Sequence, residues 1–128
     1  MEGWHVRRIF RSAAVSVALA LGLQTAWAHH SFAVYDFQTQ IEFKGKVATL
    51  NFKNPHIAMT MTVIGEDGKP KTIEFIEGAP ANMLARKGLR PDMIAPGTEI
   101  TAYGSPLNDD PTKFFLRRVR LADGSEYE

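Results

Sequence analysis

Ile41-Glu42-Phe43-Lys44-Gly45-Lys46-Val47-Ala48-Thr49-Leu50-Asn51-Phe52 reads as one long strand whose alternation breaks in the middle. Ile41, Phe43 and Val47 share one parity, and Gly45 keeps it, which is the period of a half-buried strand. The apolar parity then passes to Leu50 and Phe52. A flip inside one run implies a β-bulge or strong bend, the device that lets a strand turn a barrel corner. Asn54-Pro55 ends the run as a turn.

Outward from that strand the pattern restarts. After His56, Ile57, Met59, Met61 and Val63 fall on one face, with Ala58, Thr60 and Thr62 on the other. Gly65-Glu66-Asp67-Gly68 closes a hairpin through its Asp-Gly dipeptide. Lys71 to Glu77 is the third strand, with Ile73 and Phe75 inward. Ala81 to Lys87 is a short helix, with Pro80 suited to its first turn and Gly88 as its stop. Leu84 is its core-facing residue. Pro91 to Ile94 adds a turn, and Pro96-Gly97 another. Thr98 to Gly104 is a strand with Ile100 and Ala102 inward. Phe114 to Leu121 is the last strand, its parity slipping between Leu116 and Val119, and Ala122-Asp123-Gly124 ends it. The order β-β-β-α-β-β, with a long bent first strand, predicts a mainly β, five-stranded OB-like barrel carrying one short helix. An open five-stranded sheet is the alternative.

Upstream of the strand, the composition changes. Arg7, Arg8 and Arg11 precede an apolar run from Ala13 to Leu23, and Ala26-Trp27-Ala28 has the small-x-small pattern of a signal-peptidase site. Eleven apolar residues are too few for a membrane span, which needs about 20. The expected organisation is a cleavable signal peptide over 1–28, an N-terminal arm over 29–40 and the β domain over 41–128. Cleavage between Ala28 and His29 implies a periplasmic product with no stable membrane anchor. Arg7-Arg8-Ile9-Phe10 is similar to the twin-arginine core, but Val6 before it and Arg11 after it depart from that pattern, so the ordinary Sec route is the reading.

The basic excess belongs to the signal. Three of the 15 basic residues and one of the 14 acidic ones fall in the first 28, which leaves 12 and 13, net −1. Such a domain has no charge reason to bind nucleic acid or an anionic membrane. Arg117, Arg118 and Arg120 beside Phe114 and Phe115 read as a solvated strand face. No cysteine is present, so the β domain relies on its core and any metal site relies on nitrogen and oxygen donors.

Three histidines follow the cleavage site: His29, His30 and His56. A chain beginning at His29 offers an α-amine and a ring nitrogen as a chelating pair. A second imidazole would complete a histidine brace. Nitrogen ligation suits Cu(II), which tops the divalent affinity series. Zinc prefers four tetrahedral ligands, more than the sequence readily supplies. Met59 and Met61 alternate as core residues rather than as soft ligands. Glu74, Glu77, Asp92 and Asp109-Asp110 cannot be placed around one centre from spacing.

His29-His30-Ser31-Phe32, then Asn54-Pro55-His56, then Gly78-Ala79-Pro80-x-Asn82-x-Leu84-x-Arg86-x-Gly88, then Pro96-Gly97, Gly104-x-Pro106 and Ala122-Asp123-Gly124 form a recognisable series. It resembles the domain-of-unknown-function family 6152 of small secreted bacterial proteins. The resemblance implies a periplasmic location and carries no activity. Leu89 stands where relatives are expected to have Trp.

The expectation is therefore a periplasmic metal-binding protein, with copper as the cofactor and His29, His30 and His56 as ligands, serving metal buffering, transport or sensing. The second expectation is a non-metal module that holds a peptide, saccharide or protein partner on an OB-like face. No substrate groove is legible, so the sequence argues for binding rather than for an enzyme such as a copper oxidase.

Overall fold

The computed structural model describes residues 32–128. The expected signal, its cleavage site at Ala28 and His29, and His30 lie outside the described residues. Contacts divide the chain into two units, Met1–Val34 and Tyr35–Glu128. Every described strand belongs to the second unit.

The strands are β1 (Ile41–Asn51), β2 (Ala58–Ile64), β3 (Pro70–Gly78), β4 (Glu99–Pro106), β5 (Lys113–Arg120) and β6 (Glu126–Tyr127). Helix α1 (Ala81–Arg86) and a 3₁₀ turn (Pro91–Ile94) lie between β3 and β4. β1 serves two partners. Ile41 to Lys46 pairs with β4, and Gly45 to Asn51 pairs with β2. The register shifts between Val47 and Thr49, where the sequence changes parity, so Val47 and Leu50 both turn toward the core. β2 pairs with β3, β4 with β5, and a parallel ladder between β3 and β5 closes the ring. The circuit β1-β2-β3-β5-β4-β1 is the closed five-stranded barrel that the element order predicted.

The barrel interior centres on Phe43, Phe75 and Phe114. Their ring centroids lie 4.8 to 6.0 Å apart, tilted or edge to face, the arrangement favoured by aromatic quadrupoles. Gly104 makes room for them. A Cβ there would stand 2.8 Å from the Phe75 ring and 2.9 Å from Phe114 Cβ. Ile57, Met59 and Met61 join the same core, so both strand methionines pack where alternation put them.

One barrel end is plugged by Leu84, Leu89 and Ile94, all buried. α1 has only six residues, so its ends decide its stability. Its N-terminus takes the Asn54 side chain, whose Oδ1 accepts from the Asn82 N–H at 3.0 Å. Its C-terminus is a Schellman turn. Leu89 N–H donates to Leu84 O at 3.0 Å and Gly88 N–H to Ala85 O at 3.0 Å, with Gly88 at φ 99°.

Three details differ from the sequence expectations. Ala122-Asp123-Gly124 does not end the strand order. It turns the chain, with Gly124 at φ 90°, into the two-residue β6, which pairs with Val119 and Arg120. Two residues are too few to show alternation. The second strand begins at Ala58, so Ile57, the first residue of the expected alternation, precedes it together with His56. The arginines of β5 form a half-exposed layer that packs on aromatic rings and pairs with carboxylates, rather than a freely solvated face. Arg118 and Arg120 lie over the Tyr103 ring at 4.1 and 5.3 Å, Arg117 lies over Phe37 at 5.1 Å, and Glu126 and Glu42 pair with the first two. This layer explains why Thr101, Tyr103 and Ser105, on the outer parity of β4, are buried. No helix among the described residues is long and apolar enough to cross a membrane.

Candidate functional site

The loop from β1 to β2 is stitched to the junction of β3 and α1. Besides Asn54 to Asn82, Ile57 N–H donates to Ala79 O at 3.2 Å, and His56 Nδ1 lies 2.9 Å from Gly78 O. The Asn54–Pro55 bond is cis. These ties hold the His56 ring against the end of β3, where its Nε2 lies 3.3 Å from Glu77 Oε1.

Glu77 reaches this place through a shift in the β3–β5 ladder. Phe75 pairs with Phe114 but Glu77 with Phe115, so Ile76 is the extra residue. Glu77 would otherwise continue the inward parity of Ile73 and Phe75. The shift releases a carboxylate from the apolar face, where its charge would be costly. Its second oxygen, Oε2, accepts from the Tyr35 hydroxyl at 3.0 Å.

Tyr35 is 6% exposed. It forms a β-bridge with Leu107, and Asp36 N–H donates to Pro106 O at 2.9 Å. Tyr35, Phe37 and Phe115 pack with ring centroids 5.3 to 5.8 Å apart. Ser105 donates to Thr39 O at 2.9 Å, and Arg117 donates to Ser105 Oγ at 3.2 Å. The segment from Tyr35 to Thr39 is thus fastened to β4 and β5. Burial first, then the hydrogen bond and negative charge of Glu77, hold the Tyr35 phenol well above the usual tyrosine range. It remains a neutral donor at physiological pH.

The geometry assigns the imidazole hydrogens. A backbone carbonyl only accepts, so Nδ1 carries the hydrogen shared with Gly78 O. In the neutral ring Nε2 then presents a lone pair, the arrangement in which a carbonyl orients a histidine toward a cation. His56 and Glu77 side chains are 39% and 21% exposed, so a small solute can reach both. The pair is one nitrogen and one oxygen donor. No cluster of three or more His, Asp or Glu residues able to hold a metal exists among the described residues.

Of the three expected ligands, His56 is placed here, and His29 and His30 lie outside the described residues. Spacing alone leaves Glu77 without a centre and gives Tyr35 no role at a site. One signal was available: Glu77 is a charged residue on the apolar parity of its strand, which marks either a bulge or a functional group. Elsewhere, a cavity of about 700 Å³ is lined by Glu42, Lys44, Glu99, Thr101 and Arg120. Its charges are matched, Lys44 with Glu99 at 4.0 Å and Arg120 with Glu42 at 3.6 Å, so it lacks the open donor pair seen at His56.

Neither the curated proteins nor the solved structures contain a match to this chain. A family model does match, over residues 15–114, a span that includes His29, His30, His56 and Glu77. The chain belongs to the family of unknown function DUF6152.

Proposed function

We propose that this is an exported, periplasmic metal-binding protein whose cargo is copper. Cleavage after Ala28 would free the α-amine of His29 to chelate together with its ring, with His56 and in turn His30 supplying imidazole. The observation that carries this reading is the His56 ring, pinned through Nδ1 to Gly78 O with Nε2 left toward solvent beside Glu77. Chain length supports it. His29 is six residues from Tyr35, a reach of at most roughly 20 Å, and Tyr35 touches the carboxylate that His56 touches. Copper fits because nitrogen ligands and the divalent affinity order favour Cu(II).

The test compares Cu(II) titration of protein beginning at His29 with protein carrying one extra residue before it. The extension abolishes the amine and should weaken binding strongly. Equal affinity in the two forms would remove the amine-anchored site. The second reading, a module for a peptide, saccharide or protein partner, draws on the outer face of β2 and β3, where Ile64 and Ile76 are exposed. It predicts binding indifferent to chelators and to His29→Ala.

A further inference from the structure

Glu77 has two contacts with different chemistry. Oε2 accepts from a phenol that stays protonated, while Oε1 faces an imidazole nitrogen. A carboxylate held by a second donor through one oxygen and turned toward a ring nitrogen through the other is a preorganised ligand. The 3.3 Å between Nε2 and Oε1 fits a shared cation. With bonds of about 2.0–2.2 Å to each atom, the angle at the ion is roughly 105°. A bare hydrogen-bonded pair would account for the same distance only if Nε2 also carried a hydrogen, since Nδ1 already gives its own to Gly78 O.

We infer that Glu77 is a direct ligand, its Oε1 sharing a divalent cation with His56 Nε2 while Tyr35 orients the carboxylate through Oε2. The inference rests on the reading that a metal binds beside His56, and it deepens that reading by adding an oxygen donor. A mixed nitrogen and oxygen set favours a divalent ion of borderline hardness, Cu(II) among them, over Cu(I), which prefers sulfur. Met59 and Met61, the soft donors on the neighbouring strand, are buried in the barrel core. Tyr35 acts here as a positioning residue.

The experiment crosses Glu77→Gln with the N-terminal extension, using Cu(II) and a competing chelator, with electron paramagnetic resonance of each form. Glu77→Gln should weaken Cu(II) binding at least about tenfold and change g∥, with imidazole nitrogen hyperfine coupling retained. Tyr35→Phe should weaken binding less and leave the spectrum's ligand pattern unchanged. Wild-type affinity and an unaltered spectrum in Glu77→Gln would overturn the inference and leave the contact with His56 as an ion pair only. The two proposals fail separately. If the extension has no effect but Glu77→Gln weakens binding in both forms, the amine-anchored site falls and Glu77 stands. If the extension weakens binding and Glu77→Gln does not, Glu77 falls alone. Should Glu77→Gln lose its far-UV circular dichroism, Glu77→Asp keeps the charge but withdraws the oxygen by one methylene, and undiminished binding in that variant would likewise overturn the inference.

Discussion

Tyr35 and Glu77, 42 residues apart in sequence, are joined by a hydrogen bond of 3.0 Å that ties the approach to β1 to the end of β3. Removing the hydroxyl with Tyr35→Phe should cost about 1 kcal/mol, the scale of one partly exposed bond to a charged group. Tyr35→Ala should cost about 3 kcal/mol, because its ring also packs on Phe37 and Phe115. Urea denaturation of the three proteins checks both values.

The same tyrosine predicts a limit in alkali. Its folded phenol is raised above the unfolded value, so its contribution is complete below about pH 10 and is lost as pH rises through the folded value. Wild-type stability should therefore fall above about pH 10 more steeply than that of Tyr35→Phe, which has no phenol to ionise there. Denaturation midpoints at pH 8, 10 and 11 test this.

In acid, three turns should fail together. Asp36, Asp110 and Asp123 each accept from the backbone N–H two residues on, at 3.0, 3.1 and 2.8 Å. These bonds hold their carboxyls below the usual range, led by the Thr39 side chain at Asp36, the Thr112 side chain at Asp110 and the Ser125 N–H at Asp123. Their contribution is present above the unfolded carboxylate value near 3.9 and lost as pH falls through the folded values. Urea midpoints should be flat above about pH 5 and fall below about pH 4, with a shallower fall in Asp36→Asn.

Gly104→Ala should destabilise by about 1–3 kcal/mol, the cost of overpacking a filled core. The added methyl meets both the Phe75 ring and Phe114 Cβ at under 3.0 Å, so neither neighbour can yield alone. Near-ultraviolet circular dichroism should report disturbed aromatic packing.

Met59→Leu and Met61→Leu should each cost less than about 1.5 kcal/mol, as volume-conserving swaps do. Both side chains pack in the barrel core, so Cu(II) affinity should not change. A drop in affinity would place a thioether at the metal and contradict the nitrogen and oxygen donor set.

Most of the barrel was legible because its devices are local. The parity change between Val47 and Leu50 announced the β1 bulge. Asp67-Gly68, Pro96-Gly97 and Gly88 marked turns that the backbone adopts with positive φ at each glycine. The site was less legible because its relationships are long-range. Tyr35 meets Glu77, and His56 meets Gly78, across 42 and 22 residues, and no periodicity reports such a meeting. The arginines of β5 misled for a related reason. Spacing places them on the outer face, but only the fold brings Tyr103, Phe37 and the carboxylates to cover them.

The parallel seam between β3 and β5 also sets an order of assembly. Residues 74–78 meet partners at 113–116, 38 or 39 residues further along the chain, and such non-local contacts form late because loop closure must precede them. A nascent chain that has not yet emerged past Lys113 has β3 with one edge unzipped, open to pairing with another molecule. Glu77 and Gly78 lie on that edge, so the surroundings of His56 mature only when the ring locks. An incompletely synthesised chain would be both sticky and without a finished His56–Glu77 pair.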